Sequence, residues 1–332
     1  MSTQDPALPQ ECNDTPAPFG TAALFLGAIL LGAVLGLSIP SAGETLSQGI
    51  DATLLIMIFL IFFEMRFEAI FQAFAKVRFL VIAWSANFLI IPAIGFGVAS
   101  LFLSGEPLLF TGLMIYFLAP CTDWFLGFTR LAKGDTELGA ALIPINMVTQ
   151  LLLFPLWLWL LTRNSGLIDL ETMPSMLMQW FVLPLLAAQV LRFALERLVP
   201  LEQADLVLSW ASRLVPFVLA ALIVQIFASH VSVLVVNPKV FAVVAVAVCL
   251  FFAATLLVGE GVSLLGRLEY PQQALLSMTM TARNAPLMLA FTAVAIPHQP
   301  LMLAAIVCGM LVEIPLLTAL KQFLLNRYTL RK

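Results

Sequence analysis

Four chemically active side chains stand inside apolar stretches of this 332-residue chain. Cys121 and Asp123 belong to one polar break, Pro120-Cys121-Thr122-Asp123; Arg283 belongs to a second, Thr281-Ala282-Arg283-Asn284-Ala285-Pro286; Glu313 follows in the last apolar segment. A thiolate is a soft ligand, a carboxylate can carry a proton, and a guanidinium is a fixed cation with a planar fork of donors. An ionisable group near a bilayer centre costs about 2.5–3.5 kcal/mol on insertion scales and is normally paired or functional. Backbone leaves helical geometry at membrane depth only where protein or a water-filled cavity satisfies its freed N–H and C=O groups, so both breaks read as sites rather than loops. Broken helices carrying ionisable residues point to a carrier.

Such sites require a membrane-embedded chain, and the composition supplies one. Hydrophobic residues make up 61% and charged residues 11% of the sequence, with a mean hydropathy of +1.03, far from the balance of a soluble domain. A net charge of −3, with no basic stripe and no glycine-rich phosphate loop, excludes nucleic acid as a partner. The cysteines Cys12, Cys121, Cys249 and Cys308 are scattered, so neither a disulfide framework nor a redox pair is expected, and no cofactor or resident metal is implied. An intramembrane hydrolase would want a Ser/His dyad, paired aspartates or a zinc motif; with His230 and His298 the only histidines, enzyme chemistry is not expected. A channel would show a repeated filter ring rather than one asymmetric Asp/Arg/Cys/Glu site.

The expected fold is an all-α polytopic membrane protein of ten transmembrane helices. Apolar segments of spanning length run over 19–39, 50–64, 79–103, 107–132, 138–162, 174–198, 207–229, 238–266, 272–296 and 300–324. Grouped five and five, matching segments begin about 160 residues apart, and the two broken segments are the fourth of each half. Gln150 and Glu313 fall at matched positions 163 residues apart. Because each half crosses an odd number of times, the second copy enters from the opposite side, giving two inverted five-helix repeats: 19–162 and 174–332, joined by a linker over 163–173. Residues 1–18 are polar, Pro-rich and acidic, the wrong charge for a signal-peptide n-region, and read as a disordered cytoplasmic tail. With both termini inside, thirteen Lys and Arg residues fall on the cytoplasmic side against two outside, Arg163 and Lys239. The expected location is a bacterial inner membrane, crossed many times.

Within that frame, Cys121, Arg283 and Asn284 are the candidate substrate-binding residues, and Glu313 and Asp123 the candidates for ion or proton coupling. Thr122, Thr281, Asn146 and Gln150 are candidate cavity lining, and Pro120 and Pro286 mark the breaks. Cys249 and Cys308 read as small hydrophobes. Desolvated charges near one another tend to neutralise, so Asp123 and Arg283 are expected to pair across the two breaks.

The stretch Leu118-Ala119-Pro120-Cys121-Thr122-Asp123 through Leu131-Ala132-Lys133-Gly134-Asp135 resembles the fourth helix of the arsenical-resistance (ACR-type) arsenite efflux transporters. Gly309-Met310-Leu311-Val312-Glu313-Ile314-Pro315 resembles their last helix. The layout is similar to the wider group that includes the bile acid:sodium symporters, whose fold has helices 4 and 9 broken and crossing in a core domain of helices 3–5 and 8–10, with helices 1, 2, 6 and 7 as a panel. The resemblance implies that Cys121 and Glu313 are the functional pair, that arsenite or a related oxyanion is extruded, and that As(III) is held by the Cys121 thiol. Protons would be the counter-ion through Glu313.

The chain departs from the family in having Ala119-Pro120-Cys121 where an Ala-Arg-Cys is usual, and Arg283-Asn284-Ala285-Pro286-Leu287 where Asn-Asn-x-Glu-Leu is usual. An arginine at the crossing would repel Na⁺, and Trp124-Phe125-Leu126 offers no oxygens for it, so H⁺ is preferred over Na⁺. Arg283 also keeps open a second reading, an organic-anion carrier of the bile acid:sodium symporter type with no arsenic role. Oligomeric state is not legible.

Overall fold

A computed structural model gives the fold; the residues it describes are 18–64, 76–122, 124–162, 175, 178–235, 238–296 and 299–330. The expected linker over 163–173, nearly all of the expected tail over 1–18, and Asp123 lie outside the described residues. The regular elements among those residues are helical: α1 (Pro18–Ser38), α2 (Pro40–Ser47), α3 (Ile50–Glu64), α4 (Val77–Leu103), α5 (Pro107–Leu118), α6 (Phe125–Leu131), α7 (Thr136–Thr162), α8 (Met178–Leu198), α9 (Leu201–Val235), α10 (Pro238–Leu265), α11 (Tyr270–Thr281), α12 (Ala285–Ala295) and α13 (Pro300–Leu330). Helix α4 contains a π turn at Ala86–Ile90, and α8 opens on another at Met178–Val182.

Proline sets many of the helix starts. Pro40, Pro107, Pro238 and Pro300 are first residues of α2, α5, α10 and α13, and Pro271 and Pro286 are second residues of α11 and α12. There the missing N–H would have had no intrahelical partner, and the fixed φ is already helical. The gap between the first two apolar segments is itself helical, because Pro40 starts α2.

Among the described residues, α4, α7, α8, α9, α10 and α13 are each long and apolar enough to cross a membrane, and α2 with α3 makes a seventh span bent by 43°. The Ala23–Ser38 part of α1, and α5 and α12, are shorter apolar helices. Leu101, Leu152, Val190 and Leu257 are each about two-thirds or more exposed, an apolar outer surface that hydrocarbon accommodates and water does not. The molecule is a multi-pass membrane protein.

The helices pack in two groups. In one, α9 packs against α1, α2 and α3, and α3 against α8. Glycine permits the closest of these approaches: a Cβ at Gly32 would lie 2.7 Å from the Val224 carbonyl oxygen, and one at Gly36 would overlap the carbonyl of Ala228. Small residues four apart let backbones meet where lipid offers no hydrophobic drive, so dispersion contacts hold α1 to α9. In the other group, α13 packs against α5, α10 and α12, α10 against α4 and α11, and α5 against α4 and α7. Both broken segments belong to this second group, and α13 runs beside both.

The sequence Leu131-Ala132-Lys133-Gly134-Asp135 closes α6 with a Schellman turn. Lys133 has φ of 60°, Gly134 N–H donates to Thr129 O at 2.8 Å, and Lys133 N–H donates to Arg130 O at 3.1 Å. Asp135 then starts α7, accepting from Leu138 N–H at 3.1 Å and pairing with Lys76 at 3.1 Å.

Candidate substrate and coupling site

Helix α5 stops at Leu118 because Pro120 disfavours helical geometry in the residue before it; Ala119 is extended, with φ −103° and ψ 112°. Helix α11 stops at Thr281, and Ala282 is likewise extended, with φ −73° and ψ 135°. These extended residues pair. Pro120 lies opposite Arg283 in an antiparallel bridge, Cys121 N–H donates to Ala282 O at 3.0 Å, and Asn284 N–H donates to Ala119 O at 2.9 Å. Each break therefore satisfies backbone groups that the other frees, as non-helical chain at membrane depth demands.

Asn284 fastens the crossing by its side chain. Its Nδ2 donates to Thr122 Oγ1 at 3.0 Å, while its Oδ1 accepts from Leu287 N–H at 3.4 Å and caps α12. Cys121, Arg283, Asn284 and Glu313 are all fully buried.

The Arg283 side chain lies between the last turns of two half-helices. Its Nη1 donates to Phe117 O of α5 at 3.0 Å, and its Nη2 donates to Thr279 O and Met280 O of α11, both at 2.7 Å, and to Asn87 Oδ1 at 3.4 Å. The carbonyls ending a helix have no intrahelical donor and carry partial negative charge, so a buried cation is stable there. Phe251 faces the guanidinium at 5.9 Å and stacks on Phe117 at 3.9 Å. The expected Asp123–Arg283 pair involves a residue outside those described.

Glu313 receives three donors. Tyr116 Oη–H reaches Oε2 at 2.8 Å, while Trp124 Nε1–H at 3.0 Å and the backbone N–H of Arg283 at 2.9 Å reach Oε1. These come from α5, the start of α6 and the second break, so one carboxylate on α13 ties together all the pieces of the crossing. Tyr116 Oη also lies 3.2 Å from Gly309 O, and close approach allows it: a Cβ on Gly309 would lie 2.8 Å from the tyrosine ring.

The remaining expected residues divide. The Thr281 hydroxyl donates back to Ser277 O at 2.7 Å. Asn146 is fully buried with neither side-chain polar atom hydrogen-bonded, and the buried Gln150 has an unpartnered Oε1 although its Nε2 meets Met147 Sδ at 3.1 Å. Gln150 also lines a small pocket beside the crossing together with Ala119, Met288 and Trp157, whose buried Nε1–H is unpartnered. Asn146, Gln150 and Trp157 stand at i, i+4 and i+11 and share one stripe of α7.

Tyr116, Trp124 and Asn87 were not among the expected residues. Asn87 was findable as a polar residue in an apolar helix, and its Nδ2 donates to Thr279 Oγ1 at 3.0 Å. Tyr116 and Trp124 look like apolar bulk in sequence; only their distance from Glu313 reveals their polar ends.

Residues 52–243 match the profile of the Sodium Bile acid symporter family. The chain is also similar to the arsenical-resistance protein Acr3 of Corynebacterium glutamicum, with 27% identity over 310 residues, covering 89% of this chain and 80% of that protein.

Proposed function

The chain belongs to the sodium bile acid symporter family and is a secondary transporter, and we propose that it extrudes arsenite, or a related oxyanion, in exchange for protons. The observation that carries this reading is the placement of Cys121 and Glu313 at one crossing, held by one peptide unit: Ala282 C=O accepts from Cys121 N–H at 3.0 Å and Arg283 N–H donates to Glu313 at 2.9 Å.

Cys121 supplies the soft ligand. Arsenous acid exchanges one hydroxyl for the thiol: the S–As bond forms, an As–O bond breaks, and the thiol proton leaves with the hydroxyl as water. Hydrolysis reverses the step, and a single thiol keeps the complex labile. Glu313 supplies the proton site. When it is ionised, Tyr116 donates to it; when it is protonated, the tyrosine hydroxyl can turn to Gly309 O and accept from the new carboxyl O–H. Protonation thus switches a bond between α5 and α13, and the peptide linking Glu313 to Cys121 couples that switch to the substrate ligand. Asn146 and Gln150, with their unpartnered atoms, line the route a hydroxylated substrate takes when the site opens.

The topology belongs to the same proposal: ten crossings as two inverted five-helix repeats over 19–162 and 174–332, both termini cytoplasmic, in a bacterial inner membrane. The organic-anion reading loses support because both terminal nitrogens of Arg283 are committed to protein oxygens, leaving Nε–H as the unpartnered donor of the group.

The test is proton-driven arsenite uptake into everted vesicles from cells lacking their own arsenic pumps. Uptake by the wild type, abolished in Cys121→Ala and in Glu313→Gln, is the expected result. No uptake by folded wild type would sink the arsenic assignment.

A further inference from the structure

We propose that the guanidinium of Arg283 is a tethered cation that permanently fills the cation site formed by the two half-helix C-termini, so that this carrier has no binding site for a coupling Na⁺ there. The proposal concerns the crossing itself and holds whatever species is transported.

The argument starts from the carbonyls. An α-helix leaves its last four C=O groups without intrahelical donors. Helix α5 ends at Leu118 and α11 at Thr281, and the bridge between Pro120 and Arg283 brings those ends together. Two negative dipole ends converge among fully buried residues. In transporters with broken helices, such ends and the adjoining unwound carbonyls are where Na⁺ is coordinated. This family is named for sodium symport.

In this chain the oxygens already have a cation. Phe117 O, Thr279 O and Met280 O each accept from the guanidinium at 2.7–3.0 Å, and Asn87 Oδ1 approaches it at 3.4 Å. Three backbone carbonyls and one amide oxygen, drawn from α4, α5 and α11, form the kind of hard oxygen set that suits an alkali cation. Asn87 is held in place by its bond to Thr279 Oγ1 at 3.0 Å, and it sits on the π turn of α4, which re-aims one side chain toward the crossing. The Arg283 side chain is entirely buried. A diffusible ion comes and goes with each cycle; a side chain does not. The charge that Na⁺ would deliver on binding is therefore constant here, and Glu313, bonded by the backbone rather than the fork of Arg283, remains the group whose charge can change.

The experiment measures thermal unfolding of the full chain in lipid nanodiscs, with NaCl replacing choline chloride at constant ionic strength, for wild type and Arg283→Ala. The wild-type midpoint should show no saturable Na⁺ shift. The Arg283→Ala midpoint should be lower and should rise again, saturably, with Na⁺ or with methylguanidinium. A saturable Na⁺-specific rise in the wild type overturns the proposal, as does an Arg283→Ala protein that melts with wild type or ignores both cations. If Arg283→Ala does not yield folded protein, Arg283→Lys replaces it: a retained but smaller cation should lower the midpoint and leave it Na⁺-insensitive, and a Na⁺-dependent rise would refute the tethered-cation role. No substrate enters the measurement, so failure here is separate from failure of the arsenite assignment.

Discussion

Cys121 and Glu313 are bonded to opposite sides of one peptide unit. The Ala282 carbonyl accepts from Cys121 N–H at 3.0 Å, and the Arg283 N–H of the same peptide donates to Glu313 Oε1 at 2.9 Å. A peptide group is planar and rigid, so a shift at one end is transmitted to the other. A proton arriving on Glu313 and a ligand arriving on Cys121 thereby act on the same element, which is the physical requirement for coupling.

Tyr116→Phe should separate binding from coupling. It deletes the donor to Glu313 Oε2 while leaving the ring that packs on Gly309. A hydrogen bond to a charged group contributes about 1.5–3 kcal/mol, so proton-driven transport should fall about tenfold or more, with the thiol still reactive toward a trivalent arsenical probe. Measuring both on one preparation checks this; unchanged transport would remove Tyr116 from the coupling machinery.

Gln150→Leu should raise stability and lower transport. Its Oε1 is buried without a partner, and removing an unsatisfied buried polar group recovers about 1–3 kcal/mol. A higher unfolding midpoint with weakened uptake is the signature of a polar atom retained for substrate. If uptake is unaffected, the α7 stripe is not on the route.

Two glycines on α1 should respond with opposite sign. A Cβ at Gly27 meets nothing within 4 Å, whereas one at Gly36 overlaps the Ala228 carbonyl. Gly27→Ala should stabilise by up to about 1 kcal/mol through helix propensity; Gly36→Ala should destabilise by about 1–3 kcal/mol because two backbones must separate. Unfolding midpoints of the two variants decide it.

Arg267 ends α10 with φ of 48°, in a Schellman turn where Leu268 N–H donates to Ser263 O at 3.0 Å. Side chains avoid that region, β-branched ones most strongly. Arg267→Val should cost about 1–2 kcal/mol and Arg267→Gly should be neutral or stabilising. Equal midpoints for the two would show that the turn relaxes.

Sequence alone determined the solvent and the elements. Hydropathy placed most of the apolar segments within a few residues of the helices, with α9 running six residues past both expected ends and α13 six past its last, since burial in lipid acts on local composition, and Pro120 and Pro286 announced the breaks because proline's covalent geometry acts locally. It also singled out Arg283 and Glu313, which are too costly in hydrocarbon to be incidental, and Cys121 through its position in the break and the family resemblance. Their partners were decided only by tertiary structure. Tyr116 and Trp124 turn polar atoms onto Glu313 from 197 and 189 residues away, and Arg283 Nη1 and Nη2 reach carbonyls of α5 and α11. Sequence reports which groups need partners; only three-dimensional proximity decides which of many distant donors and acceptors provides them.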